Sequence, residues 1–220
     1  MSEEKSKKKT SAGASKGKSA PKDTGAPVEG VYPRLRKKYE DEIIKKLKDE
    51  FNYKSSMQVP RLQKIVINAG LGKAAVLNIK VIDQAMRDLA TLSGQKAVSC
   101  KSKKAISNFK LRAGLPIGVM VTLRGNRMYE FLDRLVYLAL PRIRDFRGIN
   151  DRGFDGRGNY TLGLKDQHVF PEVPYDTGDA TFGLNISFST TAKTDKEGLA
   201  LLTHFGMPWR KRSTPAKQAA

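Results

Sequence analysis

Behind Pro33 an apolar residue returns at every fourth position: Leu35, Tyr39, Ile43, Leu47 and Phe51, with Arg36, Lys37, Glu40, Asp41, Lys45 and Lys48 between them. One apolar stripe on a charged cylinder predicts an amphipathic helix, and proline suits its first turn, where its missing N–H has no partner to lose. Pro60 breaks the chain. Residues 62–68 (LQKIVIN) are rich in β-branched side chains and predict a strand that runs into a Gly70-Leu-Gly72 turn. The spacing Ile79, Ile82, Met86, Leu89 and Leu92 predicts a second helix from about Asn78, with Gly94 to stop it. Short strands are predicted at 96–100 and, by alternation, at 119–124 (VMVTLR); residues 102–118 between them read as a long basic connection. A third helix covers 128–140 up to Pro141, and the glycine-rich stretch 142–159 follows as irregular chain. Strands come next at 160–164 and 182–188, the latter alternating Phe182, Leu184, Ile186 and Phe188. Thr194 and Glu197 make a T-x-x-E capping box for a last helix that Gly206 ends. Short strands and helices in mixed order predict an α+β domain, an antiparallel sheet covered by helices with two extended loops.

Composition then sets the limits of that domain. Residues 1–30 hold no aromatic and a single valine, Val28, beside seven lysines and four acids. Such a segment cannot bury enough apolar surface to offset the entropy of ordering, so a disordered basic extension is expected over 1–30. A single domain is expected over 31–209, and a basic tail over 210–220, with Arg210, Lys211, Arg212 and Lys217. A domain of roughly 170 residues buries about 70% of its unfolded surface, enough to fold without a metal or disulfide. Cys100 is the only cysteine, and His168 and His204 the only histidines, which excludes a disulfide framework and the usual Cys/His zinc sets. No apolar run approaches the ~18 residues of a membrane span, and the N-terminus lacks a signal-peptide core. A soluble cytoplasmic protein without cofactor is expected, with no membrane partner.

Charge changes the picture more. The chain carries 41 Lys+Arg against 22 Asp+Glu, a formal +19. Without residues 1–30 the balance is still 34 to 18, so the folded part is itself cationic. Between Asp88 and Glu130 lie 41 residues with no acid, carrying Lys96, Lys101, Lys103, Lys104, Lys110, Arg112, Arg124 and Arg127. A block of one sign repels itself unless something negative neutralises it, and nucleic-acid phosphate is the natural candidate. Ser107, Asn108 and Phe109 lie among these cations and offer hydrogen bonds and a stacking face. Phe109 fits either an exposed stacking platform or a core residue. Gly114 and Gly118 bracket Pro116, where backbone could approach a ligand closely.

Catalytic signatures are weak by comparison. No G-x-x-x-x-G-K-[ST] loop is present, and Gly70-Leu-Gly72 lacks the third glycine of a dinucleotide fingerprint, so it reads as a tight turn. Asp151 and Asp155 among glycines have a faint look of a calcium loop, but Arg152 and Arg157 interleave and no glutamate closes it. Glu172, Asp176 and Asp179 sit in a proline-rich stretch that reads as an exposed loop, and neither histidine stands in a triad-like arrangement. A non-enzymatic RNA-binding protein is expected. A free-standing RNA-binding regulator or chaperone acting on messenger RNA is the alternative, and an RNA-processing enzyme a weaker third.

Several long strings carry a resemblance: IVINAGLG (65–72), SCKSKKAISNFKLRAGLPIG (99–118), RDFRGI (144–149), FDGRGNYTLGLKDQHVFPEV (154–173) and HFGMPW (204–209). From about Tyr32 to Trp209 the chain resembles the bacterial form of the large-subunit ribosomal protein family numbered five in the universal scheme. The resemblance implies a structural role in the central protuberance, beside 5S rRNA, 23S rRNA and other large-subunit proteins. It implies that Asn68, Gly70, Gln95, Lys96, Thr122 and Arg124 face 5S rRNA. It further implies that the loop bearing Lys103, Lys104, Ser107, Asn108, Phe109, Lys110, Arg112 and Gly114 reaches toward peptidyl-site tRNA. Arg144, Asp145, Arg147 and Gly148 would then lie toward the small subunit, in a bridge with its protein number thirteen. Family members usually begin near Tyr32, so the extension and the tail past Trp209 either thread into ribosomal RNA or are dispensable appendages.

Overall fold

A computed structural model of the chain describes residues 32–173 and 180–210; the extension over 1–30 and the tail past 210 lie outside them, as do Asp176 and Asp179. The compact unit starts at Tyr32.

Its first helix follows from the four-residue spacing. α1 (Arg34–Lys38) passes through a π-helical turn at Tyr39–Ile43 into α2 (Ile44–Phe51). At 3.6 residues per turn, positions four apart drift by about 40° each step, and a π turn takes up that drift. Leu35, Tyr39, Ile43 and Leu47 thus stay on one line and are all buried. Asn52, in the left-handed region, ends the helix.

β1 (Leu62–Gly70) leads into α3 (Gly72–Leu77), a short helix that the periodicity did not signal, and then α4 (Lys80–Ser93). Asn78 starts α4 by accepting the Lys80 N–H at 3.0 Å, and Gly94 closes it at φ +64°. β2 (Val98–Lys101) and β3 (Pro116–Leu123) follow, then α5 (Gly125–Arg134), a π turn at Leu135–Ala139 and a 3-10 turn at Leu140–Arg142. Pro141 has no N–H to continue the ladder, so the helix ends there. β4 (Tyr160–Leu164), β5 (Leu184–Thr190) and α6 (Asp195–His204) complete the chain.

The strands form one sheet in the order β2-β3-β1-β5-β4, with every neighbouring pair antiparallel. Ile65, Ile67 and Ala69 of β1, Val119, Val121 and Leu123 of β3, and Leu184, Ile186 and Phe188 of β5 are buried in one continuous core with the helices. The fold is therefore the two-layer α+β arrangement expected, with helices on one face only.

Several boundaries moved, each for a physical reason. β2 begins at Val98, not Lys96, because the Gln95 side chain takes the Thr122 carbonyl (Nε2 to O, 2.8 Å) that the next pair of the ladder would have used. β5 begins at Leu184, not Phe182, because the Phe182 N–H donates to the buried Gln167 side chain at 2.8 Å. Gly70 is not in a turn: it is the last residue of β1, paired with Gly118. Residues 116–118 likewise belong to β3, which shortens the basic connection to 102–115.

Candidate RNA interface

The face of the sheet opposite the helices is uncovered. Strand alternation assigns to it Lys64, Val66, Asn68 and Gly70 of β1, Gly118, Met120 and Thr122 of β3, Asn185 and Ser187 of β5, and Thr161 and Gly163 of β4. Registers place them in rows. Asn68 lies between Met120 and Asn185, with Gly163 beyond, and Val66 lies between Thr122 and Ser187, with Thr161 beyond. Thr161 and Ser187 share a hydrogen bond at 3.1 Å. None of these side chains is acidic. Val98 of β2, paired with Met120, joins the same face. Lys96 and Arg124 lie exposed just outside the ends of β2 and β3, so amides, hydroxyls and glycines share the face with the apolar Val66, Met120 and Val98, and cations flank it.

Of the six residues expected at 5S rRNA, Asn68, Gly70 and Thr122 share this face, and Gln95 is fixed to the Thr122 carbonyl at its margin. Gly118 has a steric role: a Cβ there would sit 2.9 Å from the Ala69 carbonyl oxygen. Asn185, Ser187 and Thr161 were not singled out from sequence. The signal was present, since they are the polar members of the alternating stretches 184–190 and 160–164, but only the register brings them beside Asn68.

The connection 102–115 is an arm with internal structure. Ser102 and Leu115 close its base through Ser102 N–H to Leu115 C=O (2.8 Å) and Gly114 N–H to Ser102 C=O (2.9 Å). Ile106 and Leu111 exchange both backbone bonds, at 3.0 and 3.1 Å, around a 3-10 turn at Ser107–Phe109, with Lys110 in the left-handed region at φ +54°. Lys103, Lys104, Ser107, Asn108, Lys110, Arg112 and Gly114 are exposed. Phe109 is 68% exposed, which excludes the reading of that residue as core.

The glycine-rich segment is also anchored. Ile149 forms a parallel bridge with Trp209: its N–H donates to the Pro208 carbonyl (2.8 Å) and its carbonyl accepts from Arg210 (2.9 Å). Trp209 packs on Phe154 and edge-on to Tyr160, at centroid distances of 5.9 and 5.2 Å. Arg144, Asp145 and Arg147 are exposed on the turn before Gly148, whose φ of +97° leaves no room for a side chain against Arg210.

Of the carboxylates weighed for catalysis, Glu172 lies among the described residues. Glu172 is paired with Arg134 at 2.8 Å, whose other nitrogen donates to the Leu92 carbonyl. Asp155 folds its own loop, accepting from Asn159 Nδ2 (2.7 Å), Arg157 N–H (2.8 Å) and Asn159 N–H (3.1 Å), and these bonds hold its carboxyl below the usual range. His204 contacts Glu50 at 3.3 Å, and His168 contacts Gln167. Among the described residues no three His, Cys, Asp or Glu side chains gather where they could hold a metal.

Comparison with known proteins agrees with this arrangement. Residues 55–112 match the family profile described as ribosomal protein L5, and residues 116–209 match the profile of the same ribosomal family's C-terminus. The chain is 56% identical over 177 residues to the large ribosomal subunit protein uL5 of Trichlorobacter lovleyi, covering 80% of this chain and 98% of that protein. It is 58% identical to uL5 of Chloroflexus aurantiacus over the same shares, and 59% identical to uL5 of Variovorax paradoxus, again over 80% and 98%. The uncovered polar sheet face, the cationic arm and the Trp209-anchored segment thus sit on a chain that belongs to the bacterial uL5 family of ribosomal proteins.

Proposed function

We propose that the chain is a structural, non-catalytic component of the large ribosomal subunit that binds 5S rRNA through the uncovered sheet face, in the cytoplasm. The observation that carries this is the row Thr122–Val66–Ser187–Thr161 beside Met120–Asn68–Asn185–Gly163: an uncovered surface of hydroxyls, amides and glycine around Val66 and Met120, without acids and flanked by Lys96 and Arg124. The face has no aromatic side chain to stack splayed bases. Its amides and hydroxyls suit the 2′-hydroxyls and base edges of the wide, shallow minor groove of helical RNA, and its glycines allow the RNA backbone close approach. Cations at the margin add the phosphate contacts that make affinity salt-dependent.

The resemblance assigns the arm to a second RNA, peptidyl-site tRNA, and the exposed Phe109 among lysines and Arg112 supports an RNA contact there. Arg144, Asp145, Arg147 and Gly148 are assigned to the intersubunit bridge with small-subunit protein thirteen. Contacts with 23S rRNA and other proteins of the central protuberance complete the reading.

Filter binding of the purified chain to 5S rRNA tests it. Asn68→Ala, Thr122→Ala and Asn185→Ala are each expected to weaken binding by about 1–3 kcal/mol with the thermal midpoint unchanged. Wild-type affinity should fall steeply as salt rises. Lys103→Ala and Phe109→Ala should leave 5S affinity intact and reduce tRNA affinity on reconstituted subunits. Unchanged 5S affinity in all three sheet variants would remove the face from the site.

A further inference from the structure

β4 is the outer strand of the sheet: it pairs with β5, and its first residue, Tyr160, is also bridged by Phe154. A Cβ built on Gly153 would lie 2.6 Å from the Thr161 carbonyl oxygen, so that carbonyl points away from β5, toward the free side. Antiparallel geometry turns backbone groups the same way at every second residue, so the Gly163 N–H and C=O also face outward. The turn at Asp151–Gly153 covers the edge at Thr161. At Gly163 the edge is open, and no hydrogen bond to its outward groups is formed among the described residues.

Two clefts run along this edge, of about 430 and 480 Å³, sharing Ile143, Gly163 and Leu164. Together they make one trough between β4 and the segment 140–153. Leu140, Ile143, Phe146 and Ile149 give it an apolar floor. Arg142, Arg144, Arg152 and Lys165 stand on its rim; Asp166, whose Oδ1 accepts the His168 N–H at 2.8 Å, is the acid among the lining residues, and Asp145 and Asp151 lie on the same segment, so the cations still outnumber the acids.

We propose that this trough docks an extended acidic segment of a partner protein, which adds a short strand to β4 at Gly163 while its carboxylates meet the rim arginines. Unpaired strand edges are completed by extended peptides through main-chain bonds, with alternate side chains supplying specificity. A phosphate backbone would satisfy the arginines but neither the open peptide groups nor the apolar floor. A second copy of this chain would set one arginine rim against another. The chain's own flanking segments are basic: residues 1–30 carry seven lysines to four acids, and 211–220 carry Lys211, Arg212 and Lys217 with no acid. Charge complementarity therefore selects an acidic peptide from another protein. Arg144 and Gly148 line the same trough, so the proposal deepens the bridge assignment and rests on that segment facing protein.

The test is fluorescence anisotropy of a labelled peptide of alternating Glu and Val added to the purified full chain, with a Lys-and-Val peptide and a short single-stranded RNA as comparisons. The acidic peptide is expected to bind and the basic one not. Gly163→Pro, which removes the edge N–H and is tolerated on an outer strand, should lower affinity at least about tenfold, while Gly163→Ala keeps the donor and should stay within about twofold. Arg142→Glu with Arg144→Glu should lower it comparably, which covers the case in which the proline variant misfolds by circular dichroism. Absent or charge-independent peptide binding overturns the proposal. So does RNA binding that shows the same sensitivity to Arg142→Glu with Arg144→Glu, or a dimer that Gly163→Pro dissolves. Subunit joining separates the two readings. Joining weakened by Arg144→Glu without any peptide binding sinks the trough and leaves the bridge. Peptide binding with joining indifferent to both variants sinks the bridge and leaves the trough to a different protein.

Discussion

Tyr39 and Tyr160 hold their protons beyond the usual phenol range. Their hydroxyls are pushed up to about 12, first of all by burial, while they donate to the Pro60 carbonyl at 3.1 Å and the Asn150 carbonyl at 2.6 Å. Below pH 10 both folded and unfolded states carry these protons, and the stabilisation is complete. Between about 10 and 12 the unfolded chain releases them and the folded one does not, so stability falls as pH rises through that window. Urea midpoints measured from pH 8 to 12 should drop above 10. Tyr39→Phe should lose about 1 kcal/mol at neutral pH, the net worth of its hydrogen bond, yet show a shallower alkaline decline. At this scale the sequence identified what would be apolar and what charged. Alternation grouped Phe182 with Leu184, Ile186 and Phe188, and it is buried, but it left Phe109 open between core and surface, because no periodicity covers the basic connection and only the chain's path exposes it.

Among the elements, the β1–β3 pair shows how little room the interface tolerates. Gly118 faces the Ala69 carbonyl at contact distance, whereas Gly70, its partner in register, meets nothing within 4 Å. Gly118→Ala should therefore cost about 1–3 kcal/mol, and Gly70→Ala should change stability by no more than about 0.5 kcal/mol, both by urea titration. The glycine-rich segment depends on a distant one: Trp209→Ala removes the packing on Phe154 and Tyr160 that backs the Ile149 bridge. Trypsin cleavage at Arg144, Arg147 and Arg152 is expected to accelerate about tenfold as local opening becomes easier, with α6 still folded. Helices and central strands were legible from periodicity, and Thr194 caps α6 as expected, accepting the Glu197 N–H, although Glu197 reaches back to the Lys193 N–H. The starts of β1 and β4 were legible at Leu62 and Tyr160, but those of β2 and β5 were not, since there a glutamine side chain, Gln95 or Gln167, takes the place of a ladder bond.

For the whole molecule, the division of labour follows from one-sided packing. Helices cover one face of the sheet, and the other is uncovered. The acid-free stretch from 89 to 129 supplies the end of α4, all of β2, the arm and β3, and the start of α5, so the cationic block of the sequence becomes the arm and one flank of the open face. What the sequence settled by itself was the class of fold, the basic partner-seeking character and the arm as a distinct cationic feature, because periodicity and charge are properties of local chain. The joining of Asn185, Ser187 and Thr161 to Asn68, the open edge at Gly163 and the anchoring of 144–150 by Trp209 were decided only by tertiary structure. Each depends on strand register or on contacts between residues far apart in the chain, and side-chain spacing along one segment carries no information about which other segment lies beside it.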